Sequence, residues 1–114
     1  MNYKEQRPWG EFENLLDAKY CKVKRITVNP GQRLSYQYHS KRAEVWTIVS
    51  GRGLITIDDI TWEITQGKVI QIHIGTKHRI ENPDDKNSLI FIEVQHGSYF
   101  GEDDIVRIQD DYNR

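Results

Sequence analysis

The hydrophobic pattern of this chain is that of short β-strands. Six stretches rich in aliphatic and β-branched residues are separated by Gly, Asp, Pro or Asn, which favour turns. Strands this short, with turns this frequent, favour an antiparallel sandwich or barrel of the jelly-roll kind. The six predicted strands lie within residues 20–28, 44–51, 53–58, 61–65, 68–75 and 88–95.

Helical periodicity is weak along the whole sequence. The best helix candidate is a short piece around Glu13–Asp17, and the acidic tail Gly101–Arg114 is predicted to dock as an irregular arm or a late strand. A chain of 114 residues can form one compact domain with its own core and is too short for two ordinary ones. We therefore expect a single all-β domain.

Composition narrows the classes of partner. The chain has 16 Lys and Arg against 17 Asp and Glu, so it has no global field that would hold nucleic acid or an anionic membrane. The lone cysteine, Cys21, excludes an internal disulfide and suits a buried thiol in a reducing compartment. Neither a signal-peptide pattern nor an apolar run of about 18 residues occurs. We expect a cytoplasmic protein that binds neither nucleic acid nor membrane.

The segment "YQYHSKRAEVW", residues 36–46, concentrates side chains that can bind a metal. Because side chains alternate along a strand, Gln37 and His39 would share one face, with Glu44 on the next strand. The linker "SKRA" is short enough for a hairpin, which would bring the three together. His78, in a second polar segment, could supply a fourth ligand, and this mixed nitrogen and oxygen set suits zinc, manganese, iron or a neighbouring metal.

Two stretches have the spacing of the cupin motifs. Residues 31–51 read Gly, five residues, Gln37, one residue, His39, four residues, Glu44, six residues, Gly, and residues 67–82 match the second motif. Five blocks together resemble the type II mannose-6-phosphate isomerase domain, found at the C-terminal end of bifunctional mannose-1-phosphate guanylyltransferases. The blocks are "RPWG" (7–10), "PGQRLS" (30–35), "RAE.W" (42–46), "GTKHRIENP" (75–83) and "GEDDIVR..DDY.R" (101–114).

The resemblance implies a fold and a metal centre. The fold would be a cupin double-stranded β-helix, a jelly-roll barrel, in a single domain 1–114 with an N-terminal arm 1–20, a barrel core 21–96 and a C-terminal arm 97–114. One divalent metal would be bound, zinc by preference, with manganese, iron, cobalt or nickel as alternatives. Small cupins often pair to cover a sheet, so a homodimer is expected. The implied ligands are Gln37, His39, Glu44 and His78.

The implied activity is the interconversion of mannose 6-phosphate and fructose 6-phosphate through an enediol, with a small sugar phosphate as partner. A base must reach the proton on C2, and Lys41, His73 and a metal-bound hydroxide remain alternatives. Arg42 is the best candidate for the phosphate, because a guanidinium makes planar, bidentate contacts to phosphate oxygens. The candidate substrate-binding residues are Arg42, Lys77, Asn82 and Arg107.

The sequence also departs from the family pattern. Ser40, Lys41 and Val45 stand where histidines are usual, and His73 stands where the cupin motif usually has proline. The chain lacks a nucleotide loop of the "GxGTRL" type, so it is not expected to make GDP-mannose alone. Two other functions stay open: a metal cupin with other chemistry, such as an oxygenase, and a non-catalytic sugar-phosphate-binding or assembly module.

Overall fold

A computed structural model describes residues 3–113 of the chain. Within that range the backbone forms eleven β-strands and no α-helix. No helix in this part of the chain is long and apolar enough to cross a membrane. The strands are β1 (Lys4–Arg7), β2 (Gly10–Asp17), β3 (Lys22–Val28), β4 (Tyr36–Tyr38), β5 (Arg42–Ser50), β6 (Arg52–Ile57), β7 (Ile60–Thr65), β8 (Val69–Ile72), β9 (His78–Glu81), β10 (Leu89–Gly97) and β11 (Val106–Gln109).

The strands form two antiparallel sheets. The first, sheet A, has the order β1-β2-β3-β10-β5-β8, and the second, sheet B, has the order β11-β4-β9-β6-β7. Buried and more exposed residues alternate along β5 and along β10, as expected for strands with one face on a core. All six predicted strand stretches contain strands, so the prediction of an all-β domain is confirmed.

The predicted short helix at Glu13–Asp17 is wrong, because these residues belong to β2. The strand pairs with β3 from Gly10 to Asp17, with a bulge between Asn14 and Leu16, and Phe12 is buried in the core. Ladder hydrogen bonds and burial here outweigh a weak local preference for helix. In the acidic tail, β11 forms the late strand that was one of the two expectations.

The predicted hairpin around "SKRA" is also wrong. Gln37 lies in β4 of sheet B, whereas Glu44 lies in β5 of sheet A, so residues 39–41 cross between sheets. A linker this short can join two strands of one sheet or pass from one sheet to the other, and its length does not distinguish them. The crossing still brings the candidate ligands together, because the inner faces of the two sheets meet.

The interior side chains are apolar at one end of the strands and polar at the other. Leu89 of β10 is opposite Val28 of β3, and the next inward pair on these strands is Phe91 with Ile26. One step further, Glu93 is opposite Lys24, and both are buried. One half of the interior is therefore an apolar core, and the other half is polar. We call these the apolar half and the polar half.

Candidate metal centre and substrate cavity

The polar half collects the four predicted ligands from three regions of the fold. Gln37 of β4 is the register partner of His78, the first residue of β9. His39 follows directly after β4, and Glu44 projects inward from β5. All four side chains are buried.

His39, Glu44 and His78 form a compact cluster. One ligand atom from each lies within 4.8 Å of the others. The Nε2 atom of His39 is 3.4 Å from Oε2 of Glu44, and Nε2 of His78 is 3.9 Å from Oε1 of the same carboxylate. Two imidazole nitrogens and a carboxylate around one point form a donor set typical of zinc and related divalent metals.

Backbone carbonyls fix the orientation of both imidazoles. Nδ1 of His39 is 2.6 Å from the carbonyl oxygen of Asp104, and Nδ1 of His78 is 2.9 Å from that of Thr76. A carbonyl can only accept, so each Nδ1 carries the proton and each Nε2 presents a lone pair to the cluster. Such outer hydrogen bonds are the usual support of metal-binding histidines.

The Nε2 atom of His78 is the clearest sign that the cluster fits a metal. It is buried and has no hydrogen-bond partner among the described residues. Burial lowers the pKa of His78 to about 4, so its imidazole is neutral at physiological pH. Burial, together with the charge of Arg42, also lowers the pKa of His39. Two neutral imidazoles, one with an unused lone pair, suit a cation better than a closed hydrogen-bond network.

Glu44 is oriented by two neighbours. Its Oε1 accepts a hydrogen bond of 3.0 Å from Nε1 of Trp46, and its Oε2 accepts one of 2.8 Å from Nε of Arg42. The Trp46 ring also packs edge-on against His78, with centroids 5.6 Å apart, and against Phe91 at 4.5 Å. Trp46 therefore links the apolar half to the metal cluster.

Gln37 stays a predicted fourth ligand. Its Oε1 accepts a hydrogen bond of 3.0 Å from Oγ of the buried Ser35. A carbonyl-type oxygen has a second lone pair, so this bond orients the amide without exhausting its capacity.

Arg42 bridges the cluster and the space beside it. Its Nη2 is 3.3 Å from Nε2 of His39, while its buried Nη1 has no hydrogen-bond partner among the described residues. That Nη1 lies 3.7 Å from Oε2 of Glu102. The guanidinium thus has an unused donor beside the metal cluster.

A cavity of about 320 Å³ adjoins the cluster. Gln37, His39 and Arg42 contribute to its wall. This volume is at the lower end of the range for small-molecule sites. Its lining is rich in charged side chains, of which the cationic ones are Arg7, Lys24, Arg42 and Arg107 and the acidic ones Glu93, Glu102 and Asp103.

Four of the six predicted catalytic and substrate-binding residues do not line this cavity, and of the four predicted metal ligands only Gln37 and His39 do. Lys41 lies over the Tyr99 ring at 5.1 Å, and His73 is exposed after β8. Lys77 donates to Asp59 at 3.3 Å. Asn82 is buried, and its Nδ2 donates to two backbone carbonyls while its Oδ1 accepts from a backbone amide, so it fixes the turn after β9. By contrast, Arg107 does line the cavity, from the position in β11 that pairs with Gln37.

Sequence reasoning did not identify Asp104, Glu93 or Lys24 as residues of the site. The backbone amides of Ser40 and Lys41 donate to the Asp104 carboxylate, which anchors the crossing segment beside His39. Glu93 and Lys24 face inward, and strand alternation could have revealed both. Glu93 shares a face with Leu89 and Phe91, and Lys24 shares one with Ile26 and Val28.

A two-sheet β-barrel with a buried His, Glu and His cluster defines the class of the protein as a cupin. The fold matches the capsular polysaccharide assembling protein CapF from Staphylococcus aureus with a TM-score of 0.83 at 20% identity, over 96% of this chain and 34% of that one. The cupin domain of Schizosaccharomyces pombe Cnp3 matches with a TM-score of 0.72 at 12% identity, over 76% of this chain and 64% of that chain. These likenesses support the fold alone.

The particular family follows from sequence. Residues 1–110 match the family described as mannose-6-phosphate isomerase C-terminal, and the chain belongs to it. The alginate biosynthesis protein AlgA of Pseudomonas aeruginosa is 48% identical over 95% of this chain and 22% of its own length. The mannose-1-phosphate guanylyltransferase of Salmonella montevideo is 46% identical over 95% and 23%, respectively. This chain therefore spans less than a quarter of these relatives.

Proposed function

We propose that this chain is a metal-dependent isomerase that interconverts mannose 6-phosphate and fructose 6-phosphate through an enediol. The observation that carries the proposal is the buried cluster of His39, Glu44 and His78 beside a cavity whose lining of mixed charge includes four cationic side chains. Family membership supports the reaction, and a relative named as a mannose-1-phosphate guanylyltransferase supports a hexose phosphate as substrate class.

The three clustered residues would hold one divalent metal, with Gln37 as the fourth ligand. Zinc suits this set best, and manganese, iron, cobalt and nickel are alternatives. When bound, the metal would act as a Lewis acid toward the carbonyl and hydroxyl oxygens of the open-chain sugar. The chain itself keeps both imidazoles neutral by burial and orients them through the carbonyls of Asp104 and Thr76.

The cationic wall would bind the phosphate. Arg42 offers its unused Nη1, and Arg107 faces the same cavity from β11. A guanidinium can hold two phosphate oxygens at once, which fixes the sugar as well as attracting it. Arg7 and Lys24 add positive charge to the same wall.

A second candidate function is sugar-phosphate binding without turnover. One observation favours it: Lys41 and His73, the side chains predicted as bases, both lie outside the cavity lining. A binding or assembly module would need the metal cluster and the cationic wall and no base.

Turnover distinguishes the two candidates. We would incubate zinc-loaded protein with fructose 6-phosphate in deuterated water and follow the sugar by NMR. The isomerase should form mannose 6-phosphate with solvent deuterium on carbon, since a base that exchanges with water carries the proton. A chelator should stop the reaction and added zinc should restore it. Binding without product, with each of the five metals, would support the non-catalytic function.

We also propose that the protein is a cytoplasmic homodimer. Ile90, Ile92 and Val94 of β10 lie on the outer face of sheet A, beside Val45 of β5, and each of them is half-buried. The outer face of β10 therefore presents aliphatic side chains, which a second copy could cover. Two copies of one sheet face can pack together by symmetry. Sedimentation of the wild type and of Ile92→Lys should give a dimer and a monomer, and a monomeric wild type would contradict the proposal.

A further inference from the structure

Glu93 is a buried carboxyl group on the wall of the cavity, and no step described so far uses it. It projects inward from β10, with Lys24 of β3 and Trp46 of β5 as register partners. Only 4% of its surface is exposed, and the cavity that it lines also contacts Gln37 and His39. A sugar in this cavity would therefore lie between the metal ligands and Glu93.

The other two acidic residues of the cavity have different surroundings. Glu102 makes a 2.7 Å ion pair with Lys24. Burial alone would raise the pKa of Glu102, but that ion pair lowers it overall. Asp103 is exposed and accepts a hydrogen bond from the Tyr99 hydroxyl. Both side chains lie near solvent.

Glu93 is held by a neutral partner. Its Oε2 accepts a 2.7 Å hydrogen bond from Nε2 of Gln95, and Gln95 in turn is the register partner of Glu44. The amide orients the carboxyl group without neutralising its charge. Burial and the nearby charge of Glu44 raise the pKa of Glu93 to about 7 in the metal-free protein.

We propose that Glu93 is the catalytic residue that transfers the proton between C2 and C1 of the sugar phosphate. The inference rests on the proposed isomerase function and names the base that sequence reasoning left open. Of the carboxyl groups that line the cavity, it is the buried one, and the same cavity is lined by His39 of the cluster and by Gln37.

The proton transfer balances without an oxidant or reductant. The Glu93 carboxylate takes the proton from C2 of the open-chain aldose, and the electron pair of that bond becomes the double bond between C1 and C2. The C1 oxygen gains a proton from water as its carbonyl opens, which gives the enediol. Glu93 then returns its proton to C1, while the C2 hydroxyl loses a proton to water and becomes the ketone.

The test compares zinc-loaded wild type with Glu93→Gln, which keeps the side-chain shape, and with Glu63→Gln, an exposed glutamate of β7, as control. Glu93→Gln should lower kcat by about 10²–10⁴-fold and abolish deuterium incorporation. Its zinc content and its Kd for fructose 6-phosphate, measured by calorimetry, should match the wild type. In Glu93→Ala, added formate should restore part of kcat, which a purely structural role would not predict.

The possible failures are distinguishable. Wild-type kcat in a folded, zinc-loaded Glu93→Gln variant would overturn the role of Glu93 and leave the isomerase function standing. A zinc-loaded wild type that binds fructose 6-phosphate and never converts it would overturn the isomerase function and this inference with it. Loss of zinc from Glu93→Gln would also overturn the inference, because Glu93 would then support the metal cluster instead.

Discussion

The two halves of the barrel interior are built on the same strands but contain different kinds of side chain. Along β10, Leu89 and Phe91 pack in the core, whereas Glu93 lines the cavity and the buried Gln95 donates a hydrogen bond to Glu93. The apolar half contributes stability through area removed from water. The polar half instead buries charged and amide groups, which costs free energy unless each is paired. The apolar half thus supports folding, and the polar half forms the candidate site at a cost in stability.

The boundary between the halves is the Trp46 ring. It stacks on Phe91 and touches His78, and its indole N–H donates to Glu44. One rigid aromatic side chain therefore connects the packing of the core with two of the predicted metal ligands. Substitutions on either side of this ring should have effects that differ in kind.

Phe91→Ala should have the largest effect and should act on stability. Removal of a fully buried aromatic ring typically lowers the free energy of unfolding by about 3–5 kcal/mol. Urea unfolding of metal-free protein measures this loss. Metal affinity of the molecules that remain folded should change much less, and an equal loss of stability in His78→Ala would break the contrast.

His78→Ala and Glu44→Ala should have the next largest effect and should act on metal binding. Loss of a residue that merely supports a ligand costs about 10–100-fold in affinity, so loss of a ligand should cost about 100-fold or more. Calorimetric titration with zinc measures the affinity, and circular dichroism checks the fold. Wild-type zinc affinity in both variants would refute the cluster as a metal site.

Glu93→Gln should make the metal-free protein more stable at high pH. The pKa of Glu93 is about 7 in the folded state and 4.5 ordinarily, so the folded state keeps the proton up to a higher pH than the unfolded state does. Stability contributed by this group therefore falls as pH rises from 4.5 to 7, by about 3 kcal/mol. Gln cannot ionise, so above about pH 7 the variant should exceed the wild type by up to that amount.

His78 changes stability with pH in the opposite direction. Its pKa is about 4 in the folded state against 6.5 ordinarily, so the unfolded chain takes up the proton first and stability falls as pH drops through that window. In the wild type the two effects partly cancel, and Glu93→Gln should expose the His78 effect. Urea unfolding of metal-free protein at about pH 5 and pH 8 tests this, and an unchanged pH profile would contradict it.

Asp104→Ala should have the smallest effect, confined to the polar half. The carboxylate accepts from the amides of Ser40 and Lys41, so its loss loosens the segment that carries His39. We expect zinc affinity to fall by about 10-fold, in the range for outer-sphere changes. Asp85→Ala, in an exposed loop, is the matched control and should leave zinc affinity unchanged.

Much of the fold could be predicted because strand periodicity is local. Two predictions failed because the local structure depends on residues far away in the sequence. Glu13–Asp17 is a strand because it pairs with β3. The segment "SKRA" crosses between sheets because β4 pairs with strands of sheet B. Neither partner can be read from the segment itself. A linker of this length is compatible with both geometries.

The grouping of His39, Glu44 and His78 could be predicted because these residue types stand at a recognisable spacing, and their role as metal ligands stays a prediction. The cavity could not be predicted, since its walls come from strands far apart in sequence, such as β3 with Lys24 and β10 with Glu93. A single glutamate in an apolar strand is easily passed over. Its significance appears only when the register sets it opposite a buried lysine.

The most direct test of the metal centre is a crystal structure of zinc-loaded protein with anomalous scattering recorded at the zinc edge. One strong peak per chain is expected among Nε2 of His39, Nε2 of His78 and the Glu44 carboxylate. The peak should disappear in His78→Ala crystals grown with the same zinc. A peak elsewhere, or none with these three side chains arranged as they are now, would contradict the central claim that the polar half is built to hold a metal.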